Sequence, residues 1–178
     1  ASSPLAPRDT LRPTKAKRVI FLFMAGGVSH VDSFDYKPRL ERENGQMMDF
    51  DDARAIAKTG MGAPQRVMKS LWDFKQQGQS GRWASSLFPH MASMVDDLCF
   101  MHSMHTEGVA HGPATLFLHT GSTSFIRPSM GAWVSYGLGT ENRNLPGFVV
   151  IKDSEATVVH GVRNWGNGFM PAVYQGVE

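Results

Sequence analysis

A chain of 178 residues, 42% of them hydrophobic and with a formal charge of +2, has the size and apolar content of one globular domain able to bury a core. Its basic residues are dispersed among acids except at Lys15, Lys17 and Arg18, so no basic stripe interleaved with aromatics argues for nucleic acid. A single cysteine, Cys99, excludes an internal disulfide framework and a cysteine-rich zinc site, and no apolar stretch is long enough to span a bilayer.

Residues 1–17 are proline-rich and lack a periodic apolar pattern, which predicts an extended lead-in. No signal peptide is legible, and Ala1 in place of Met leads us to expect that the natural start has been removed. The run Arg18-Val-Ile-Phe-Leu-Phe-Met-Ala-Gly-Gly27 reads as a strand over 18–25 buried on both faces, as in a parallel sheet. Residues 36–45 are charged and carry Pro38, which suits a short surface helix or an irregular excursion. A short helix is expected over 51–58, with Asp51 and Asp52 near its N-terminus, broken at 60–64. Residues 76–81 form a polar, glycine-punctuated loop.

Over 85–97 the residues Leu87, Met91, Met94, Val95 and Leu98 recur at helical spacing, with Ser85 or Ser86 as cap. A second buried strand over 98–104 follows, with Cys99 as a small hydrophobe, and then a polar segment, 105–112. Pro113 opens a helix through Leu118 that Gly121 terminates, and another helix runs from Ser129 until Gly137 and Gly139 stop it. A third strand is expected over 147–152, and the glycine- and aromatic-rich tail from Trp165 has no recognisable closing element. Strands alternating with helices predict an α/β fold, its mostly parallel sheet joined by right-handed crossovers.

Ligands in open α/β sheets gather beyond the carboxyl ends of strands. Gly26 and Gly27 allow a close backbone approach there, and Ser29, His30, Asp32 and Asp35 follow at once. Imidazole with carboxylate suits Zn, Mn or Fe, and carboxylates alone suit Mg or Ca. The plainer reading is a turn in which Asp32 and Asp35 bond local backbone or cap a helix. Beyond the second strand lie His102, His105, Glu107 and His111, with His119 further along. His111 stands at a predicted helix N-terminus, where free N–H groups favour phosphate or sulfate. The plainer reading makes His102 and His105 hydrogen-bonded residues of a strand end and sets His119 along a helix face.

Several short motifs then occur in order: Phe23-Met-Ala-Gly-Gly-Val-Ser-His-Val-Asp-Ser-Phe-Asp-Tyr-Lys-Pro38, Gln79-Ser-Gly-Arg-Trp83, Leu87-Phe-Pro-His90, Ser103-Met-His-Thr-Glu107, Arg127-Pro-Ser-Met-Gly131 and Trp165-Gly-Asn-Gly-Phe169. Together they resemble the signature of the family called domain of unknown function 1501, over nearly all the chain from Ala16. That family is grouped with the alkaline phosphatase and sulfatase superfamily. The resemblance implies a three-layer α/β/α fold and hydrolysis of phosphate or sulfate esters, of small molecules or glycans, at a pair of divalent metals. Zn, Mg, Mn and Ca are the candidate ions. Many members look exported, often with a twin-arginine signal that this chain lacks, so a periplasmic or exported location is implied by resemblance only.

Residue by residue the resemblance is partial. Sulfatases end their first strand in a metal-binding Asp-Asp pair; Gly26 and Gly27 stand in those places, so His30, Asp32 or Asp35 would substitute. Counting back from Thr120-Gly121, the sulfatase nucleophile position falls on His111, Pro113 matches the motif's proline and Thr115 replaces its arginine. A formylglycine sulfatase is thereby excluded, and His111 is left as nucleophile or metal ligand. Arg127 is the candidate anion clamp, with Gly26 and Gly27 as substrate-side backbone. Past Thr140 the only histidine is His160, so the superfamily's C-terminal ligands are missing.

The expected organisation is therefore a lead-in over 1–17 and, over 18–178, the N-terminal part of an incomplete alkaline phosphatase-like domain, inactive alone. If so, His111 should open a helix and face the cleft that holds His30 and Asp32. One rival is a non-catalytic binding or surface module that kept the fold and lost the Asp pair. Another is a structural fragment that covers an exposed sheet with its missing half or a second copy.

Overall fold

Glycine and proline set several of the element boundaries. The computed structural model describes residues 3–10, 12–13, 15–48, 64–104, 106–108, 110–153 and 158–178, which gather into two units, one of 27–105 and one of 1–26 with 106–178. The helix expected over 51–58, its break at 60–64 and the candidate residue His105 lie wholly or largely outside the described residues.

In the unit of 27–105, a 3₁₀ turn over His30–Asp32 is followed by a short helix α1, Pro38–Arg42, with proline in its first turn. Strands β1 (Met47–Met48) and β2 (Gln65–Arg66) pair antiparallel. Strands β3 (Phe74–Gln77) and β4 (Arg82–Ser85) form a hairpin in which Phe74 faces Ser85 and Gln77 faces Arg82. Its turn uses Gly78 and Gly81, both at φ +63°, a region that side chains disfavour. The Asp96 carboxylate clasps that turn, accepting from the backbone N–H groups of Gln79 at 2.7 Å and Ser80 at 2.9 Å. These bonds, with one from the Ser80 side chain, hold its pKa below the usual carboxylate range. Ala84, Ala92 and Val95 are the buried core of this unit, with Phe34 and Phe100 packed on it.

The helix expected over 85–97 shrinks to α2, Pro89–Ala92, and a 3₁₀ turn over Val95–Asp97. Two causes are visible. Proline disfavours a helical residue before it, and Phe88 is non-helical at φ −123°, ψ 63°. Ser85 is the end of β4, donating its N–H to the Ser33 carbonyl at 2.8 Å and its hydroxyl to the Asp32 carbonyl at 2.6 Å.

In the other unit, α3 covers His111–Thr120 and α4 covers Met130–Leu138. Gly121, at φ +71°, ends α3 and returns its N–H to the Phe117 carbonyl at 2.7 Å. Ser129 caps α4 by accepting from the Ala132 N–H, and Gly139 closes it. Ala132, Met170 and Tyr174 form the buried core here, and Leu5 packs against them. The lead-in is thus fastened: Tyr174 donates its hydroxyl to the Pro4 carbonyl at 3.1 Å, and Thr140 and Arg8 donate N–H groups to the carbonyls of Leu5 and Leu138. The Arg8 guanidinium lies 5.0 Å from the Tyr136 ring centre. Among the described residues no helix is long and apolar enough to cross a membrane.

The expected α/β/α layering around a parallel sheet is overturned. Among the described residues the strands are the two antiparallel pairs, β1–β2 and β3–β4. The runs 18–25 and 98–104 are not strands, and of 147–152 only Val149 makes a bridge, parallel, to Val177. Val19, Ile20 and Leu22 stand 67%, 83% and 86% exposed, and Cys99 is exposed instead of buried. The physical reason is that apolar content reports a tendency to be buried, whereas a strand also needs a partner with which to exchange backbone bonds. A hairpin supplies that partner across a tight turn; a parallel sheet must bring it from a dozen or more residues away.

Candidate functional site

Two clusters hold the residues singled out from the sequence, one in each unit. In the unit of 27–105 the chain leaves Gly27 and turns at once into the 3₁₀ segment of His30–Asp32. The turn is tied by Asp35 and Ser33 N–H groups donating to the His30 carbonyl, at 3.0 and 3.3 Å, and by the buried Ser33 hydroxyl donating to the Ser29 carbonyl at 2.9 Å. Asp32 accepts the Ser29 hydroxyl at 2.6 Å, a local bond of the kind the plainer sequence reading anticipates. Asp35, half-buried, pairs with Lys37 at 2.8 Å.

That Lys37 bond, reinforced by the nearby charges of His102 and His30, holds the Asp35 carboxyl below its ordinary range, against the contrary pull of burial. The packing of Phe34 on Phe100, ring centres 5.2 Å apart, brings the segment that carries His102 toward the His30–Asp35 turn. No spacing in the sequence announces this approach. Chemically, the cluster offers a carboxylate held by an ammonium. Lys37 already occupies the carboxylate, and among the described residues no group of three or more His, Cys, Asp and Glu side chains is placed to hold a metal ion. As arranged, His30, Asp32 and Asp35 therefore do not fit a metal by themselves.

The second cluster surrounds the start of α3. Gly26 and Gly27 are left-handed, at φ +81° and +77°, so the turn that ends the apolar run depends on glycine. A β-carbon at Gly26 would stand 3.8 Å from His111 Cε1, in ordinary contact with the exposed imidazole. His111 is the first residue of α3, with Ala110 before it and no side chain capping the end. Gly112 follows, and a β-carbon there would come within 2.8 Å of His160 Nε2 and 3.1 Å of Val159 Cγ1. The close approach of His160 to the helix start thus requires glycine at 112. His160 itself adopts a left-handed φ of +69°, uncommon for a residue with a side chain. Only its isolation beyond Thr140 marked it in the sequence.

Arg127 lies elsewhere. It donates from Nη1 to the Gly121 carbonyl at 3.4 Å, at the C-terminal end of α3, roughly 15 Å along the helix from His111. The structure thus joins Gly26 to His111 and does not join Arg127 to them. His119, in the last turn of α3, is half-buried between Phe21 and Phe23, whose ring centres lie 5.4 and 4.9 Å away. Burial lowers its pKa, favouring neutral imidazole. It borders an open, largely apolar cleft of about 530 Å³ that includes Leu118, Met130 and Trp133. His102 and Glu107 are exposed.

The model of one family, described as a protein of unknown function (DUF1501), matches residues 16–178. No curated protein matches the chain, and no solved structure does.

Proposed function

The chain belongs to the DUF1501 family, and from that premise we propose that it is the N-terminal portion of a metal-dependent hydrolase of phosphate or sulfate esters, binding the anionic group without turning the ester over by itself. The observation that carries this reading is the nearness of Gly26 to His111 at the uncapped start of α3, where a β-carbon at 26 would stand 3.8 Å from the imidazole. A tetrahedral oxyanion suits such a place, because helix N–H groups without intrahelical partners and an imidazole donor favour negative charge. His111 serves there as phosphoryl acceptor or as ligand. A divalent metal, Zn, Mg, Mn or Ca, would need donors beyond His30, Asp32 and Asp35, which among the described residues do not assemble into a three-donor group.

Titration of the chain with inorganic phosphate, followed by the backbone amide resonances of Gly112 and Ala114 in the first turn of α3, should saturate, and the response should vanish in His111→Ala. No turnover of an aryl phosphate or aryl sulfate is expected, with or without divalent metal. Absence of any phosphate response would remove the site. Metal-dependent turnover that His111→Ala abolishes would show the chain to be an enzyme in its own right.

A second reading, a non-catalytic binding module that has lost the metal-binding Asp pair, is favoured by the capture of Asp35 by Lys37. Calorimetry with Zn²⁺ and Mn²⁺ separates the two. Binding that His30→Ala weakens supports the hydrolase, and no binding supports the module.

A further inference from the structure

A 3₁₀ turn over Gly161–Asn164 packs against α3, and His160 is the residue just before it, at φ +69° and ψ −2°. The side chain of Asn164, 2% exposed, brackets His160. Its Nδ2 donates to the Val159 carbonyl at 2.8 Å and to the Gly161 carbonyl at 3.1 Å. Those carbonyls belong to the residues on either side of His160, so the two bonds hold it in its left-handed conformation. The bracket leaves Asn164 Oδ1 buried without a hydrogen-bond partner, an arrangement that native structures seldom keep without a reason. A glycine at 160 would adopt the same φ with no side chain to accommodate. What the bracket holds is therefore the imidazole. Its Nε2 lies across the start of α3, 2.8 Å from where a β-carbon on Gly112 would stand. Neither ring nitrogen has a protein partner among the described residues.

We propose that His160 is a second imidazole of the anion site at the start of α3, and that Asn164 is its positioning residue. The inference rests on the reading of that helix start as a phosphate or sulfate site. Pro113, in the first turn of α3, has no N–H, so this helix start offers one donor fewer than the four that usually lack a partner. An imidazole N–H beside Gly112 supplies a donor at the same end, and His111 supplies another from the adjacent residue. Among the described residues no third His, Cys, Asp or Glu completes a cation site with them, and two N–H donors suit an oxyanion.

Titration of the chain with inorganic phosphate tests this, with the Gly112 amide resonance as reporter and His160→Gly as the decisive variant. Glycine suits a φ of +69° and the bracket bonds backbone carbonyls, so the variant should unfold close to the parent's urea midpoint. It should nonetheless bind phosphate about tenfold more weakly, because a charge-assisted hydrogen bond is lost. In the parent, the His160 ring resonances should shift with the same midpoint as the Gly112 amide. Asn164→Ala should weaken binding by a similar factor when His160 is present and leave it unchanged in the His160→Gly background, as a residue acting through another must. If Asn164→Ala does not fold, His160→Gly decides alone. A parent that gives the Gly112 response, while His160→Gly binds phosphate as tightly and the His160 ring stays still, would overturn this inference and leave the anion site standing. A parent with no phosphate response would remove the anion site itself, and the role of His160 with it.

Discussion

Residues 74–85 and residues 18–25 show how little apolar content decides a strand. Phe74-Lys-Gln-Gln77 and Arg82-Trp-Ala-Ser85 are mostly polar and form a ladder; Val19-Ile-Phe-Leu-Phe23 is wholly apolar and forms none. The hairpin has a partner five residues away, a turn with two left-handed glycines and a carboxylate clasping it. The apolar run also ends in a turn of two left-handed glycines, Gly26 and Gly27, but a 3₁₀ turn follows it instead of a second strand, and any ladder would close a longer loop at greater entropic cost. The adjacent partner, more than hydrophobicity, separates the two.

The largest expected effect tests whether tight tertiary contacts outweigh local pattern. Gly168 is left-handed, at φ +56°, and a β-carbon there would strike the backbone of Arg127 and Pro128, just before α4. Gly168→Ala should therefore cost about 3 kcal/mol in urea unfolding. A loss under roughly 1 kcal/mol would mean that the α4 start is not held where it is described.

A middle-sized effect concerns a local signal. Ser129 is buried and caps α4, so Ser129→Ala should cost about 1 kcal/mol, read from the same unfolding curve. An unchanged midpoint would remove the cap from the account of that helix.

Smaller again is the clasp on the hairpin. Asp96 has a lowered pKa in the folded chain, so its contribution is complete above the unfolded carboxylate value, about 3.9, and is lost as pH falls through the folded value. The amide proton resonances of Gln79 and Ser80 should move together on acidification, with a midpoint below that of an ordinary aspartate, and should lose this step in Asp96→Asn. A midpoint at the ordinary value would break the link between clasp and turn.

The smallest effect falls on the apolar run. Leu22 is 86% exposed, so Leu22→Ser should shift stability by no more than about 0.5 kcal/mol. A loss of several kcal/mol would show 18–25 to be buried in the folded chain and would close the gap between the two regions.

How much of the site was legible follows the same division. The left-handed turn at Gly26 and Gly27, the opening of α3 at His111 and the local bonding of Asp32 could be read from neighbouring residues. The neighbours that arrive from a distance could not. The Phe34–Phe100 contact brings the segment of His102 toward Asp35, and His160 reaches Gly112 from beyond Thr140. Residue type alone suggested Arg127 as an anion clamp, but its guanidinium bonds the Gly121 carbonyl.

By itself the sequence determined several boundaries: Pro38 in a first helical turn, Ser129 as a cap, Gly121 and Gly139 as stops, and the turn within 76–81. Such signals act through φ, ψ and hydrogen bonds over a few residues, so the information that sets them is adjacent in the chain. Tertiary structure alone decided which apolar runs found partners, that Ser85 completed a strand, and which histidines met a glycine or a carboxylate. Those outcomes depend on the balance between loop-closure entropy and the burial gained on packing, a balance that no single segment contains.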